Sequence, residues 1–207
     1  MKTKINQFWN CFLSIQMDIL IANDSGKIRL RDKLFDKLFK EAVKIHSELR
    51  IIILFPSNGD ASSRLIFLVK GNYKLKAIAT EIIIVAPQME LWQYQIGIKP
   101  YKRSIISFCA EYKFLDYNTT IYQIYFAIKR VYRTSNKLHL TIYIDMNKKH
   151  SKSDLHEAMD NILLWFLGDT YYYQHISKFK IVRRKFSAIH FIPFDELRNI
   201  IEYKHIN

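Results

Sequence analysis

The sequence predicts an α+β fold: a single domain over residues 1–207, with a mainly antiparallel sheet and helices packed on one face. Three observations carry that expectation. Apolar residues recur at three- and four-residue spacing towards both ends of the chain. Between them stand runs in which apolar and polar residues alternate one by one. With five Gly and four Pro in 207 residues, and no linker, fixed-period repeat or low-complexity tail, nothing marks a place to divide the chain.

Ile5, Phe8, Trp9, Phe12 and Leu13 follow the i, i+3, i+4, i+7, i+8 rule of a buried helical face, and Thr3 is placed to cap that helix. Asn23-Asp24-Ser25-Gly26 reads as a turn. A second helix over about residues 30–49 has Leu34, Leu38, Ala42, Ile45 and Leu49 as its stripe. Residues 51–55 form a β-branched strand, Pro56-Ser57-Asn58-Gly59-Asp60 turns the chain, and residues 64–70 return beside it as a hairpin. Gly71-Asn72 breaks that strand. A helix over residues 75–85 follows, with Leu75, Ile78, Ala79, Ile82 and Ile83 inward, and Pro87 stops it.

Four alternating segments come next. Trp92, Tyr94, Ile96 and Ile98 alternate with Gln93, Gln95, Gly97 and Lys99; Ile106, Phe108, Ala110 and Tyr112 with Ser107, Cys109, Glu111 and Lys113. Ile124, Phe126 and Ile128 alternate with Tyr125, Ala127 and Lys129; Leu138, Leu140, Ile142 and Ile144 with Lys137, His139, Thr141 and Tyr143. A period of two with one apolar face marks an antiparallel sheet covered on one side. Arg133-Thr134-Ser135-Asn136 is the expected turn between the last two strands. Leu155, Met159, Ile162, Leu163 and Phe166 stripe a further helix, capped by Ser151 or Ser153 and ended by Gly168 in a left-handed position. Residues 171–176 are ambiguous, residues 178–185 read as a basic strand, and Pro193 opens a short final helix reaching Tyr203.

Three groups of residues carry a resemblance. Phe8, Trp9 and Phe12 stand on the first helix; Ala86, Pro87 and Trp92 lead to Lys99-Pro100; and Leu167-Gly168-Asp169 closes the later helix. Together they resemble an uncharacterised, bacteroidete-type bacterial family with a Phe-Trp-x-Trp-Phe helix, an Ala-Pro-x(4)-Trp segment running to Lys-Pro, and a Leu-Gly-Glu. Here Cys11 stands in place of the second Trp and Asp169 in place of Glu. The motifs are mostly apolar, so the resemblance speaks to fold. It implies no assigned activity, though some family members sit where toxin-neutralising partners are expected.

The formal charge is +13, from 32 Lys/Arg against 19 Asp/Glu. Residues 101–150 hold nine Lys/Arg and three acids, so a basic surface belongs to the middle of the chain. Cys11 and Cys109 form no CxxC or Cys/His cluster, which argues against a disulfide framework and fits a reducing cytoplasm. Asn6, Gln7, Asn10, Gln16 and Asp18 interrupt the first apolar stretch, and no run of 18 apolar residues exists, so neither a signal peptide nor a membrane span is expected.

Catalytic signatures are missing. There is no GxSxG, no P-loop, no GxGxxG and no HExxH. His150, His156 and Glu157 lack helical metal-ligand spacing, and His175 and His190 stand alone, so no metal or cofactor is expected. Trp9, Phe12 and Trp92 suit a core better than a ligand pocket. Cys109 and His139 could share the polar sheet face, with Glu111 and Asp145 as its acids, but nothing lowers the thiol pKa. The chain is therefore expected not to be an enzyme.

The open polar face is the functional lead. With strands neighbouring in chain order, Gln93, Gln95, Lys99, Glu111, Lys113, Lys129, Lys137, His139 and Tyr143 project from it together, and Tyr125 joins them. Lys99, Lys113, Tyr125, Lys129, Lys137, His139 and Tyr143 are the candidate binding residues. Basic and aromatic groups on one face suit an acidic protein, such as a toxin or effector bound by an immunity-type inhibitor. The alternative is a nucleic-acid-binding module. It ranks second because no RNP-type aromatic signature is present.

Overall fold

The computed structural model describes residues 1–56, 62–111, 115, 118–132 and 134–203. Its class is α+β. Within that class the chain forms two compact units, Met1–Gly97 and Ile98–Asn207, each with its own sheet.

The N-terminal unit runs α1 (Lys2–Asp24), α2 (Ile28–Ile45), β1 (Arg50–Leu54), β2 (Ser63–Leu68), α3 (Tyr73–Ile84) and β3 (Trp92–Ile96). β1 and β2 form the expected hairpin, with Ile52 opposite Ile66. Residues 57–60 of its expected turn lie outside the described residues. Asn72 caps α3 by accepting a hydrogen bond from Lys74 N at 2.9 Å. That helix returns the chain so that β3 lies parallel to β2, Leu65 opposite Tyr94.

The first aromatic motif is core. Phe8, Trp9, Phe12, Phe67 and Trp92 are buried. Trp9 meets Phe8 edge-on at 5.0 Å and Tyr94 at 4.9 Å, and Phe12 meets Trp92 at 4.8 Å. The indole of Trp9 donates to Ile82 O at 3.0 Å, and that of Trp92 to Gln16 Oε1 at 2.8 Å. Thr3 is not the cap: α1 starts at Lys2, with Met1 at the cap position and no side-chain bond.

The C-terminal unit runs α4 (Ile105–Glu111), β4 (Ile121–Tyr132), β5 (Lys137–Met146), α5 (Lys152–Leu167), α6 (Asp169–His175), β6 (Ile176–Val182), β7 (Ile192–Pro193) and α7 (Glu196–Tyr203). Its sheet has the order β6-β5-β4-β7. β4 pairs antiparallel with β5 and β7, and β5 pairs parallel with β6 after the chain crosses back through α5 and α6. Across both sheets three pairings are antiparallel and two parallel, so the sheets are mixed but mainly antiparallel. Phe108, Phe126, Ile142, Met159, Phe166 and Leu197 share the core between sheet and helices.

The structure corrects three readings here. Residues 106–111 of the segment expected as a strand belong to helix α4; Tyr112 lies outside the described residues. The buried residues of α4 are Ile105, Phe108 and Cys109, a three- and four-residue spacing that overrides the weaker alternation. Ser104 Oγ accepts from Ser107 N at 3.2 Å and Asp195 accepts from Ile105 N at 2.7 Å, so the first turn is capped twice. Pro193 does not open a helix: it sits in the edge strand β7, where its missing N–H costs no ladder bond, and α7 starts at Glu196. The segment 92–98 is not a neighbour of β4; its strand belongs to the N-terminal sheet.

Ser151 caps α5 as expected, accepting from Asp154 N at 3.1 Å. Gly168 ends it with φ +80° and ψ 154°, a positive-φ but extended conformation open essentially to glycine alone. A Cβ there would stand 2.6 Å from Ile98 O and 3.0 Å from Pro100 N. Asp169 is buried and meets the same segment: its side chain accepts from Ile98 N, and its own N–H donates to Ile98 O, both at 3.2 Å. Lys99-Pro100 and Leu167-Gly168-Asp169 are thus two halves of one architectural joint.

Candidate functional site

In the C-terminal sheet, one face of β4 and β5 is core; the other is exposed or half-buried except at Ala127 and Thr141, which are buried. Phe126 opposite Ile142 points inward, and both are buried. The intervening pairs therefore face the other way: Tyr125 opposite Tyr143, and Ala127 opposite Thr141. A bulge at Lys129 then shifts the register, so that Arg130 stands opposite His139 and Tyr132 opposite Lys137. The hairpin turn that sets this pairing closes with Asn136 at φ 52°, a left-handed position Asn tolerates. On the far side of β5, β6 brings Lys178 opposite His139 and Lys180 opposite Thr141. The face therefore runs across three strands.

Its aromatic end is covered by the segment after β6. Lys185 Nζ stands 3.2 Å over the Tyr125 ring and 5.5 Å from that of Tyr143. Phe191 meets Tyr143 at 6.3 Å, and Tyr125 and Tyr143 are 6.1 Å apart. At the other end Arg130 lies 5.1 Å from the Tyr132 ring. Among the described residues, Lys129, Arg130, Lys137, Lys178, Lys180, Arg183, Arg184 and Lys185 make no ion pair with a carboxylate. Partial burial, then the charges of Lys178, Lys129 and Arg130, hold the pKa of His139 below the ordinary histidine value.

Of the residues expected on this face, Tyr125, Lys137, His139 and Tyr143 lie on it. Lys129 is exposed but occupies the bulge, and Arg130 takes the place opposite His139 that strict alternation would not give it. Lys99 is exposed in the segment after β3 and belongs to no strand. Gln93 and Gln95 lie on β3, in the N-terminal sheet. Glu111 ends α4 and accepts from the Tyr101 hydroxyl at 2.6 Å. Lys113 lies outside the described residues.

Cys109 is buried in the helix-side core, so it shares no face with His139. Sequence reading missed Arg130, Lys178, Lys180 and Lys185. The alternating Lys178 and Lys180 of the basic strand were the available signal, but a parallel crossover hides which sheet edge that strand joins.

Beyond the tyrosine end, a cavity of about 250 Å³ is lined by Tyr143, Asp145, Lys149, His150, Leu155 and Arg183, among others. Its His150 Nε2 lies 2.7 Å from Thr119 Oγ1. Among the described residues, no group of three or more His, Cys, Asp or Glu could hold a metal ion, and no helix is long and apolar enough to cross a membrane.

No family model, curated protein or solved structure matches this chain.

Proposed function

We propose that the protein is a non-catalytic binding protein whose C-terminal sheet face docks an acidic protein, in the manner of an immunity-type inhibitor that neutralises a toxin or effector. The observation that carries this reading is the set of cations on and beside one sheet face, Lys129, Arg130, Lys137, Lys178, Lys180 and Lys185, without carboxylate partners. Such an array steers an acidic partner and rejects a basic one. Tyrosine and arginine beside it are the side chains that anchor protein interfaces. The resemblance to a family with members near toxin-neutralising systems supports the immunity-type form. That Cys11 and Cys109 form no disulfide with each other suits a partner met in the cytoplasm.

One observation separates this reading from a nucleic-acid module. The exposed face of Tyr125 is occupied by Lys185, so that ring offers no stacking platform for a base. The same cations on a four-stranded sheet nevertheless keep nucleic acid as the second reading.

Affinity capture from host lysate, with and without nuclease, tests both, with the tagged wild-type protein run beside Lys137→Glu/Lys178→Glu/Lys180→Glu. A discrete acidic protein captured by wild type and lost with the triple variant is the expected result. Equal capture by both removes this face from the reading. Partners that vanish with nuclease move nucleic acid to first place, with binding then falling steeply with salt.

A further inference from the structure

His139 occupies the middle of the cation row. Arg130 of β4 stands opposite it on one side and Lys178 of β6 on the other. Lys129 sits at the bulge beside Arg130, and Lys137 lies two positions along β5 on the same face. Thr141, two positions the other way, carries no charge. The next acid of β5 on that face is Asp145, six positions from His139, which is about 20 Å along a strand. Every charged group packed around the ring from β4, β5 and β6 is therefore positive.

We propose that His139 makes this face a proton-linked docking surface: an anionic partner seated over Arg130, His139 and Lys178 draws a proton onto the imidazole, and affinity rises as pH falls. The inference rests on the reading of this face as a docking surface. In the free protein partial burial first, and then the three neighbouring cations Lys178, Lys129 and Arg130, disfavour the imidazolium, so the ring is held towards its neutral form. A partner's anions cancel that field and favour the charged ring. Linkage then requires the reverse: whatever raises proton affinity on binding raises binding affinity on protonation. Histidine is the side chain whose titration falls in the window where this matters.

Heparin is the probe, because its sulfates keep a constant charge between about pH 8 and about pH 5.5. Affinity is measured across that range for wild type and His139→Gln. Wild type is expected to gain about three- to ten-fold more than the variant, the yield of a pKa rise of up to one unit. A titration of the His139 ring by NMR in wild type, free and heparin-bound, needs no variant to fold. Its pKa is expected to rise on binding. An equal pH gain in both proteins, or a ring pKa unmoved by heparin, overturns the proton linkage and leaves the docking face standing. No heparin binding at any pH overturns both.

Discussion

The two sheets solve burial differently. β2 in the N-terminal unit is buried continuously through Leu65, Ile66, Phe67 and Leu68, so both of its faces are inside. In β5 of the C-terminal unit, Leu138, Leu140, Ile142 and Ile144 are buried on one face, while on the other Lys137, His139, Tyr143 and Asp145 keep partial access to solvent around a buried Thr141. The first pattern uses its aromatic residues as core: Trp9, Phe12, Phe67 and Trp92. The second leaves its tyrosines half-buried on the sheet surface, under Lys185 and Phe191, beside exposed lysines. A residue type therefore does not tell its role in this chain; the period of its neighbours does.

Substitutions can break that contrast. The largest effect is expected from Trp9→Ala, which removes a buried ring touching Phe8, Phe12, Phe67 and Tyr94. It should cost about 3–5 kcal/mol in guanidinium unfolding and leave heparin binding by the C-terminal face unchanged. A cost under about 1 kcal/mol would mean that the aromatic cluster is not the core of its unit.

Gly168→Ala comes next. Its Cβ would meet backbone atoms that cannot move aside, so about 3 kcal/mol is expected from the clash and the conformation together. Gly26→Ala is the control, with φ +66° and nothing within 4 Å; it should cost about 1 kcal/mol. Equal losses at the two glycines would show that conformation alone, and not the close approach of Ile98 and Pro100, decides the cost.

The smallest effect on stability, and the sharpest on function, is expected from Lys178→Glu/Lys180→Glu. Both side chains are exposed, so unfolding should shift by no more than about 0.5 kcal/mol while binding of an acidic partner is lost. A large stability loss would mean that these lysines hold the sheet rather than a partner.

Most of the fold was legible in the sequence because strong periodicities settle local structure. The stripes of α1, α2, α3 and α5 and the alternation of β3, β4 and β5 place half of the fourteen helices and strands among the described residues, and turn and β-branched signals add β1, β2 and β6. Segment 105–111 was misread because Ile106, Phe108 and Ala110 alternate over a short span, while its caps, Ser104 and Asp195, are respectively easy to overlook and 90 positions away. The division into two sheets was hidden for a related reason. β3 follows a helix, and a strand after a crossover helix pairs parallel with an earlier strand instead of with the next one.

The site was half legible for the same cause. Lys137, His139 and Tyr143 follow from alternation within one hairpin. Arg130 needs the bulge, and Lys178 and Lys180 need the parallel pairing of β5 with β6, neither of which local sequence encodes.

The joint at Gly168 and Asp169 also bears on the order in which the chain assembles. Ile98 waits for Asp169, 71 positions later; Ile105 waits for Asp195; and the carbonyl of Tyr101 waits for the guanidinium of Arg198, 97 positions later. The hydrogen bonds that hold the opening residues of the C-terminal unit therefore form only after most of that unit has been synthesised. The N-terminal unit can seal its Trp9–Ile82 bond long before that. Synthesis thus completes the aromatic core of the N-terminal unit before the joint of the C-terminal unit can close.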